Sequence, residues 1–280
     1  MKTIGLYPNA RRDRNFVGTK KVIEIFGEYP VELLLPLGIC PEFVLQYPHV
    51  RALPLDRVIR ECDCLVTLGG DGTILSVAKR CARENKPICG INLGNVGFMA
   101  ALEAKETEKI RRLMTGEYTV SDRMLLSCFV DGKEELVALN EVVIAPEKGF
   151  HIVELSLFVG RKKLCDFRAD GLIFNTPTGS TGYAFSAGGA VMDSAMDAIG
   201  VKAISSYLLI NAHHMIFRPE TVFYAKKCRS SGCSVTVCAD GREERVLGEN
   251  AVVKICRSEK RVSLIEMTPR SNLEVFFRKF

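Results

Sequence analysis

No apolar run in this chain of 280 residues approaches the roughly 18 that a spanning helix needs, so a soluble protein is expected. The opening MKTIGLYP carries a lysine, but its apolar run breaks at Pro8. A secretory signal is therefore not expected, and the location reads as cytoplasmic. No C-x-x-C pair occurs among the 11 cysteines, and no histidine stands at zinc spacing from them. That argues against a zinc site and against a secreted disulfide framework. The cysteines read as reduced, mostly buried small hydrophobes. A strong charge of one sign is missing too. The net charge is +5, and its densest basic clusters are ARRDRN (Ala10 to Asn15) and VGRKK (Val159 to Lys163). Both read as solvated surface. The excess suits a polyanionic small ligand and is too weak to argue for DNA or RNA. Tryptophan is absent, which excludes nothing.

The common nucleotide motifs are also missing. No G-x-x-x-x-G-K-[ST] loop is present. Gly70 and Gly72 fit the first two places of a dinucleotide fingerprint, but Leu75 stands at the third. The glycines at 90, 94 and 97 are spaced by four and three, which is not that fingerprint either.

The residues that are present describe a globular chain, 47% hydrophobic and 25% charged, long enough for two domains or one large one. Over the first 120 residues short apolar runs (KTIGLYP, VELLLP, CDCLVTL, PICGINL) alternate with helical patterns. The helical stretches are Thr19 to Phe26, ILSVAKRCAREN and KETEKIRRLMTGE, the last ended near Gly116. Such alternation predicts a parallel, doubly wound sheet. After about residue 120 the texture changes to hairpins, with turns at Asp131-Gly132, near Gly160 and at Asp240-Gly241. That half is expected to be dominated by antiparallel strands.

Three constellations could carry chemistry. LGGDGT (68–73) follows a strand and opens a helix, so the backbone N–H groups of Gly69, Gly70 and Gly72 can hold phosphate oxygens. Thr73 can cap the helix or bond phosphate. Asp71 either complements the helix dipole in a plain turn or sits beside bound phosphates. There it can orient a hydroxyl, accept its proton or help hold Mg²⁺. NTPTGSTGYAFSAGG (175–189) is a loop rich in hydroxyls and glycines, suited to a ligand with many oxygens. Asn140-Glu141 can read an adenine edge or a ribose diol, or can be a surface pair at a strand edge. Asp170-Gly171 reads as a turn by default, and His213-His214 as a structural or surface pair.

Taken in order, LGGDGT, GINLGNVGF (90–98), RMLL (123–126), ALNEVVI (138–144), ADGLIFNTPTGSTGYAFSAGG (169–189) and HHMIFRP (213–219) closely resemble the NAD kinase family. The resemblance implies an α/β domain over 1–120, a β-rich, sandwich-like domain over 121–265, and a segment 266–280 packing back on the first. It implies NAD bound between the domains and across the interface of a homo-oligomer, a dimer or tetramer. The reaction implied is transfer of the ATP γ-phosphoryl, or one from polyphosphate, to the 2′-hydroxyl of the adenosine ribose, with Mg²⁺ or another divalent cation. Asp71 is then the catalytic residue and Gly69, Gly70 and Thr73 the phosphate binders, with the metal carried mainly by the nucleotide. Gly72, Phe98, Asn140, Glu141, Arg168, Asp170, Thr181, Gly182, Tyr183 and Ser186 are implied to line the NAD site, and His213 aligns with a family histidine. Partners are small molecules, with no nucleic acid or membrane. Departures are Gly182 where the family usually has Ala, Ala190 where it has Pro, and LLINAH (208–213) in place of TPICPH. A diacylglycerol-type lipid kinase sharing the Gly-Gly-Asp-Gly core is the alternative enzyme. A non-catalytic NAD(P) sensor is the alternative without chemistry.

Overall fold

The computed structural model describes residues 1–94, 97–149, 151–207, 213–228, 232–268 and 272–279. The chain forms two compact units, Met1–Arg123 with Val262–Phe280 and Met124–Arg261. The departure at 208–213 lies outside the described residues except for His213, which is exposed.

The first unit is built on a parallel sheet. Its elements run β1 (Thr3–Pro8), α1 (Val17–Phe26), β2 (Glu32–Pro36), α2 (Pro41–Gln46), β3 (Val50–Leu53), α3 (Leu55–Glu61), β4 (Cys64–Gly69), α4 (Asp71–Arg83) and β5 (Ile88–Asn92). The strands stand in the order β5-β4-β1-β2-β3, all parallel. All residues of β4 and β5 are buried, which is why they read as unbroken apolar runs. Helix α4 instead buries a stripe, Ile74, Val77, Ala78, Cys81 and Ala82, at helical spacing. The sequence pattern did not reveal α2, β3 or α3, which are short.

The stretch read as one helix at 105–117 is a 3₁₀ helix over Ala104–Arg111, followed by one α turn, Arg112–Thr115. Polar side chains there bond back locally: Thr107 Oγ1 donates to the Ala104 carbonyl at 2.7 Å, and Glu106 takes the Glu103 N–H at 3.3 Å. Such bonds compete with the α pattern. Gly116, at φ +79°, closes the segment.

The second unit holds antiparallel strands in two sheets. One has six strands, Met215–Phe217, Ile199–Ile204, Gly171–Asn175, Glu141–Pro146, Val235–Ala239 and Glu243–Leu247, in that spatial order. The other joins Lys162–Ala169, Val153–Val159, Phe223–Lys227 and the first part of Val252–Glu266. Phe167, Phe174, Phe223, Ile144 and Leu155 share the core of this unit. The predicted Asp-Gly turns have both residues at positive φ, +50° and +84° at 131–132 and +50° and +63° at 240–241.

All 11 cysteines are free thiols, and Cys40, Cys62, Cys64, Cys81, Cys89 and Cys128 are buried. Among the described residues no helix is long and apolar enough to cross a membrane.

Candidate active site

In the first unit the chemistry-bearing residues collect at the carboxyl ends of β4 and β5. Asp71 is the first residue of α4. Its carboxylate accepts the N–H of Phe98 through Oδ2 at 2.8 Å and that of Met99 through Oδ1 at 3.2 Å. These bonds tie the turn to the loop after β5 and aim the carboxylate. Gly97 is needed for this approach, since a Cβ there would lie 2.7 Å from Asp71 Oδ1. Gly70 has open space where a side chain would be, and Gly72 is exposed. Gly69 is buried, and a Cβ on it would overlap the Thr73 hydroxyl.

Thr73 bonds within the protein. The residue is buried, its Oγ1 accepts the Asn9 Nδ2–H at 3.1 Å, and it lies 3.4 Å from the Gly70 N–H. The hydroxyl thereby ties the turn to the segment after β1. Phe98, with Met99, Asn92, Glu103 and Val275, lines a cavity of about 590 Å³ within this unit.

In the second unit Asn140 and Glu141 open the strand Glu141–Pro146, opposite the hydroxyl loop. Asn175 pairs with Glu141 across the sheet. Thr176 is buried, with its Oγ1 donating to the Leu139 carbonyl at 2.6 Å and accepting the Gly179 N–H at 3.0 Å. Gly179 and Gly182 lie against the Asn-Glu pair. A Cβ on Gly179 would come within 2.1 Å of the Asn140 carbonyl oxygen, and one on Gly182 within 3.0 Å of Glu141 Oε2. The alanine usual in the family at 182 would thus crowd the Glu141 carboxylate. Thr181 Oγ1 donates to the Thr178 carbonyl at 3.3 Å, whereas Tyr183 and Ser186 are exposed.

Two buried acceptors here, Asn140 Oδ1 and Glu141 Oε2, have no hydrogen-bond donor among the described residues. Buried acceptors without donors are costly, and a ligand that supplies N–H or O–H groups relieves that cost.

Asp240, read from sequence as a turn residue, does more. Its carboxylate is buried and accepts the N–H groups of Leu139, Asn140 and Glu141 at 2.8, 2.8 and 3.1 Å. It therefore fixes the backbone that carries the Asn-Glu pair. A short acidic side chain in a tight turn gave no sequence signal of this.

Burial pushes the Glu141 carboxyl from its ordinary 4.5 up to about 7, and the Asp240 charge pushes the same way, against the Tyr183 N–H. The Asp240 carboxyl is raised too, burial outweighing its three N–H donors. Both groups hold protons longer folded than unfolded. Stability is therefore expected to fall as pH rises from 4.5 towards 7, with the Glu141 penalty complete above that. Melting curves of the ligand-free protein from pH 5 to 8 should show this slope, and Glu141→Gln should flatten it. An equal slope in the variant would contradict the assignment.

The loop is pinned at its far end by His214. Its Nδ1 accepts the Ala190 N–H at 2.9 Å, so its Nε2 carries the proton and donates to Asn175 Oδ1 at 3.0 Å. Burial, then the Lys202 charge, lowers its pKa, which suits this neutral form. The departure from proline at 190 thus has a partner, because a proline has no N–H to give. His213 takes no part in this clip.

Arg168 and Asp170 are not brought to the Asn140-Glu141 pocket. Arg168 pairs with Glu154 at 2.9 Å and stacks on Tyr207, and Asp170 is exposed. They flank the start of the strand Gly171–Asn175, whose other end meets Glu141. Five residues of strand separate them from the pocket, roughly 15 Å at the usual rise.

Models of two domains match the chain, the ATP-NAD kinase N-terminal domain over residues 46–118 and its C-terminal domain over 139–267. An NAD kinase of Natranaerobius thermophilus is 32% identical across 100% of this chain and 98% of that protein. The chain belongs to the ATP-NAD kinase family. An NAD kinase of Pseudomonas putida is 42% identical over 153 residues, 53% of this chain and 52% of its own. In fold, this family member superposes on yeast NADH kinase complexed with NADH at TM-score 0.87, with 22% identity over 100% of this chain and 86% of that one. It also superposes on an Archaeoglobus fulgidus NAD kinase in complex with ATP at TM-score 0.76, with 23% identity over 100% and 98% of the two chains.

Proposed function

We propose that this kinase transfers the γ-phosphoryl group of ATP to the 2′-hydroxyl of the NAD adenosine ribose, giving NADP and ADP. The observation that carries the choice of acceptor is the pair of buried oxygens, Asn140 Oδ1 and Glu141 Oε2, that lack donors among the described residues. An adenine amino group and ribose hydroxyls supply such donors. A diacylglycerol acceptor would offer its single hydroxyl and leave one oxygen unpaired in an apolar environment.

Asp71 accepts the hydroxyl proton as the new P–O bond forms. Its carboxylate accepts the N–H groups of Phe98 and Met99, which aim it from the start of α4. The Gly70–Gly72 backbone faces the phosphates. Mg²⁺ commonly binds through one or two carboxylates plus substrate phosphates, so Asp71 is the side chain that would meet an ion carried mainly by the nucleotide. Bound there, the ion would supply charge neutralisation on the donor phosphates.

Thr181, Gly182, Tyr183 and Ser186 flank the dinucleotide. The distance of Arg168 and Asp170 from the pocket of their own chain supports assembly as a homo-oligomer, in which a neighbouring copy brings them to the ligand. The chain works in the cytoplasm. The test is an incubation with ATP, Mg²⁺ and either NAD or diacylglycerol. NADP from the first mixture alone is expected. Phosphorylated lipid, or tight NAD binding with no NADP, would overturn the reading.

A further inference from the structure

The order β5-β4-β1-β2-β3 places a switch point between β1 and β4, because the chain builds outward from β1 first to one side and then to the other. In open α/β sheets, ligands settle at the carboxyl ends of the strands flanking such a point. Here those ends lead into the Gly70–Gly72 turn and into the arginine-rich segment that follows β1. That segment is docked on the turn. Asn9 N–H donates to the Leu68 carbonyl at 2.8 Å, and Asn9 Nδ2–H donates to Thr73 Oγ1.

Arg12 rises from this segment and reaches the loop after β5, its Nη1 lying 3.3 Å from where a Cβ on Gly94 would be. β4, whose end carries the Gly-Gly-Asp-Gly turn, stands between β1 and β5 in the sheet. The acid of ARRDRN does not offset it. The Asp13 carboxylate is buried and accepts the Gly18 N–H, the Thr19 N–H and the Thr19 hydroxyl, at 2.8, 2.9 and 2.6 Å, at the start of α1. No carboxylate among the described residues pairs with Arg11, Arg12 or Arg14, and all three are exposed.

We propose that Arg12, reinforced by Arg11 and Arg14, grips the polyphosphate chain of the donor above the Gly70–Gly72 turn. A planar guanidinium binds phosphate oxygens in bidentate fashion, and its charge offsets the repulsion between phosphate and Asp71. The site reads phosphate and not the base, so a nucleoside triphosphate and an inorganic polyphosphate are two sources of one chemistry. The inference rests on the phosphoryl-transfer reading above.

Calorimetric titration with inorganic tripolyphosphate in magnesium buffer tests it apart from turnover. Affinity should fall at least tenfold in Arg12→Ala, fall less in Arg12→Lys, and stay unchanged in Arg57→Ala, a surface control. In turnover, Arg12→Ala should raise KM for ATP, and for polyphosphate where that donor is used, by similar factors, with NAD affinity within twofold. Melting curves show whether each variant is folded, and exposure of Arg12 makes loss of fold unexpected. Tripolyphosphate affinity within twofold of the parent in Arg12→Ala, or no binding by the parent, overturns the proposal. Arg12-dependent binding without any NADP formation would instead overturn the phosphoryl-transfer reading and leave the phosphate site standing.

Discussion

Asp71→Asn is expected to abolish most turnover while NAD affinity stays within a few fold. General-base help is typically worth about 10²–10⁴-fold, so kcat should fall by that order. The carboxylate also accepts two backbone N–H groups, from Phe98 and Met99. An asparagine can accept through only one oxygen, and its NH₂ would face the other N–H. Part of the loss will therefore come from a loosened loop at 98–99. Asp71→Ala separates the two effects, because it removes the base and the bonds to Phe98 and Met99 together. If the asparagine variant retains near-normal kcat, Asp71 merely braces the loop.

Gly179→Ala is expected to have the second large effect, on binding. The added Cβ would meet three backbone atoms of Asn140, its O, C and Cα at 2.1, 2.4 and 2.6 Å. No side chain can swing away to relieve this, so the loop must leave the strand that carries Asn140 and Glu141. Overpacking of this kind typically costs about 1–3 kcal/mol of stability. NAD binding should weaken by at least tenfold, because the displaced loop opens the pocket around the two unpaired oxygens. Gly182→Ala is the internal comparison. Its Cβ would press mainly on the end of the Glu141 side chain, at 3.0 Å, so its effect should be smaller. Equal NAD affinity in Gly179→Ala and the parent would show that the loop does not form the pocket wall.

The parallel half of the fold was legible because β4 and β5 are buried on both faces and leave unbroken apolar runs. The hairpins were legible because Asp-Gly marks turns whose two residues need positive φ. The same dipeptide concealed the role of Asp240. A turn residue and a buried acceptor of three N–H groups look alike in sequence, and only the pairing of Val235–Ala239 with Glu141–Pro146 brings Asp240 under residues 139–141.

Thr73 was open between capping and phosphate binding, since either use suits a hydroxyl at a helix start. Its bond to Asn9, 64 residues earlier, could not be read from the local pattern. His214 was equally silent, because its partners Asn175 and Ala190 are distant in sequence. The arginines after β1 read as solvated charge, which a local window cannot distinguish from a cluster set at a switch point. That distinction needs the strand order.

Phosphoryl transfer to NAD is tested most directly by the fate of label from ATP carrying a radioactive γ-phosphate, incubated with NAD and Mg²⁺, with the product's phosphorus spectrum recorded in parallel. Transfer to the 2′-hydroxyl predicts one labelled dinucleotide bearing a 2′-monoester on the adenosine ribose, formed by the parent protein and nearly absent with Asp71→Asn. Label at another hydroxyl, or an unlabelled dinucleotide that nonetheless binds tightly, would contradict it.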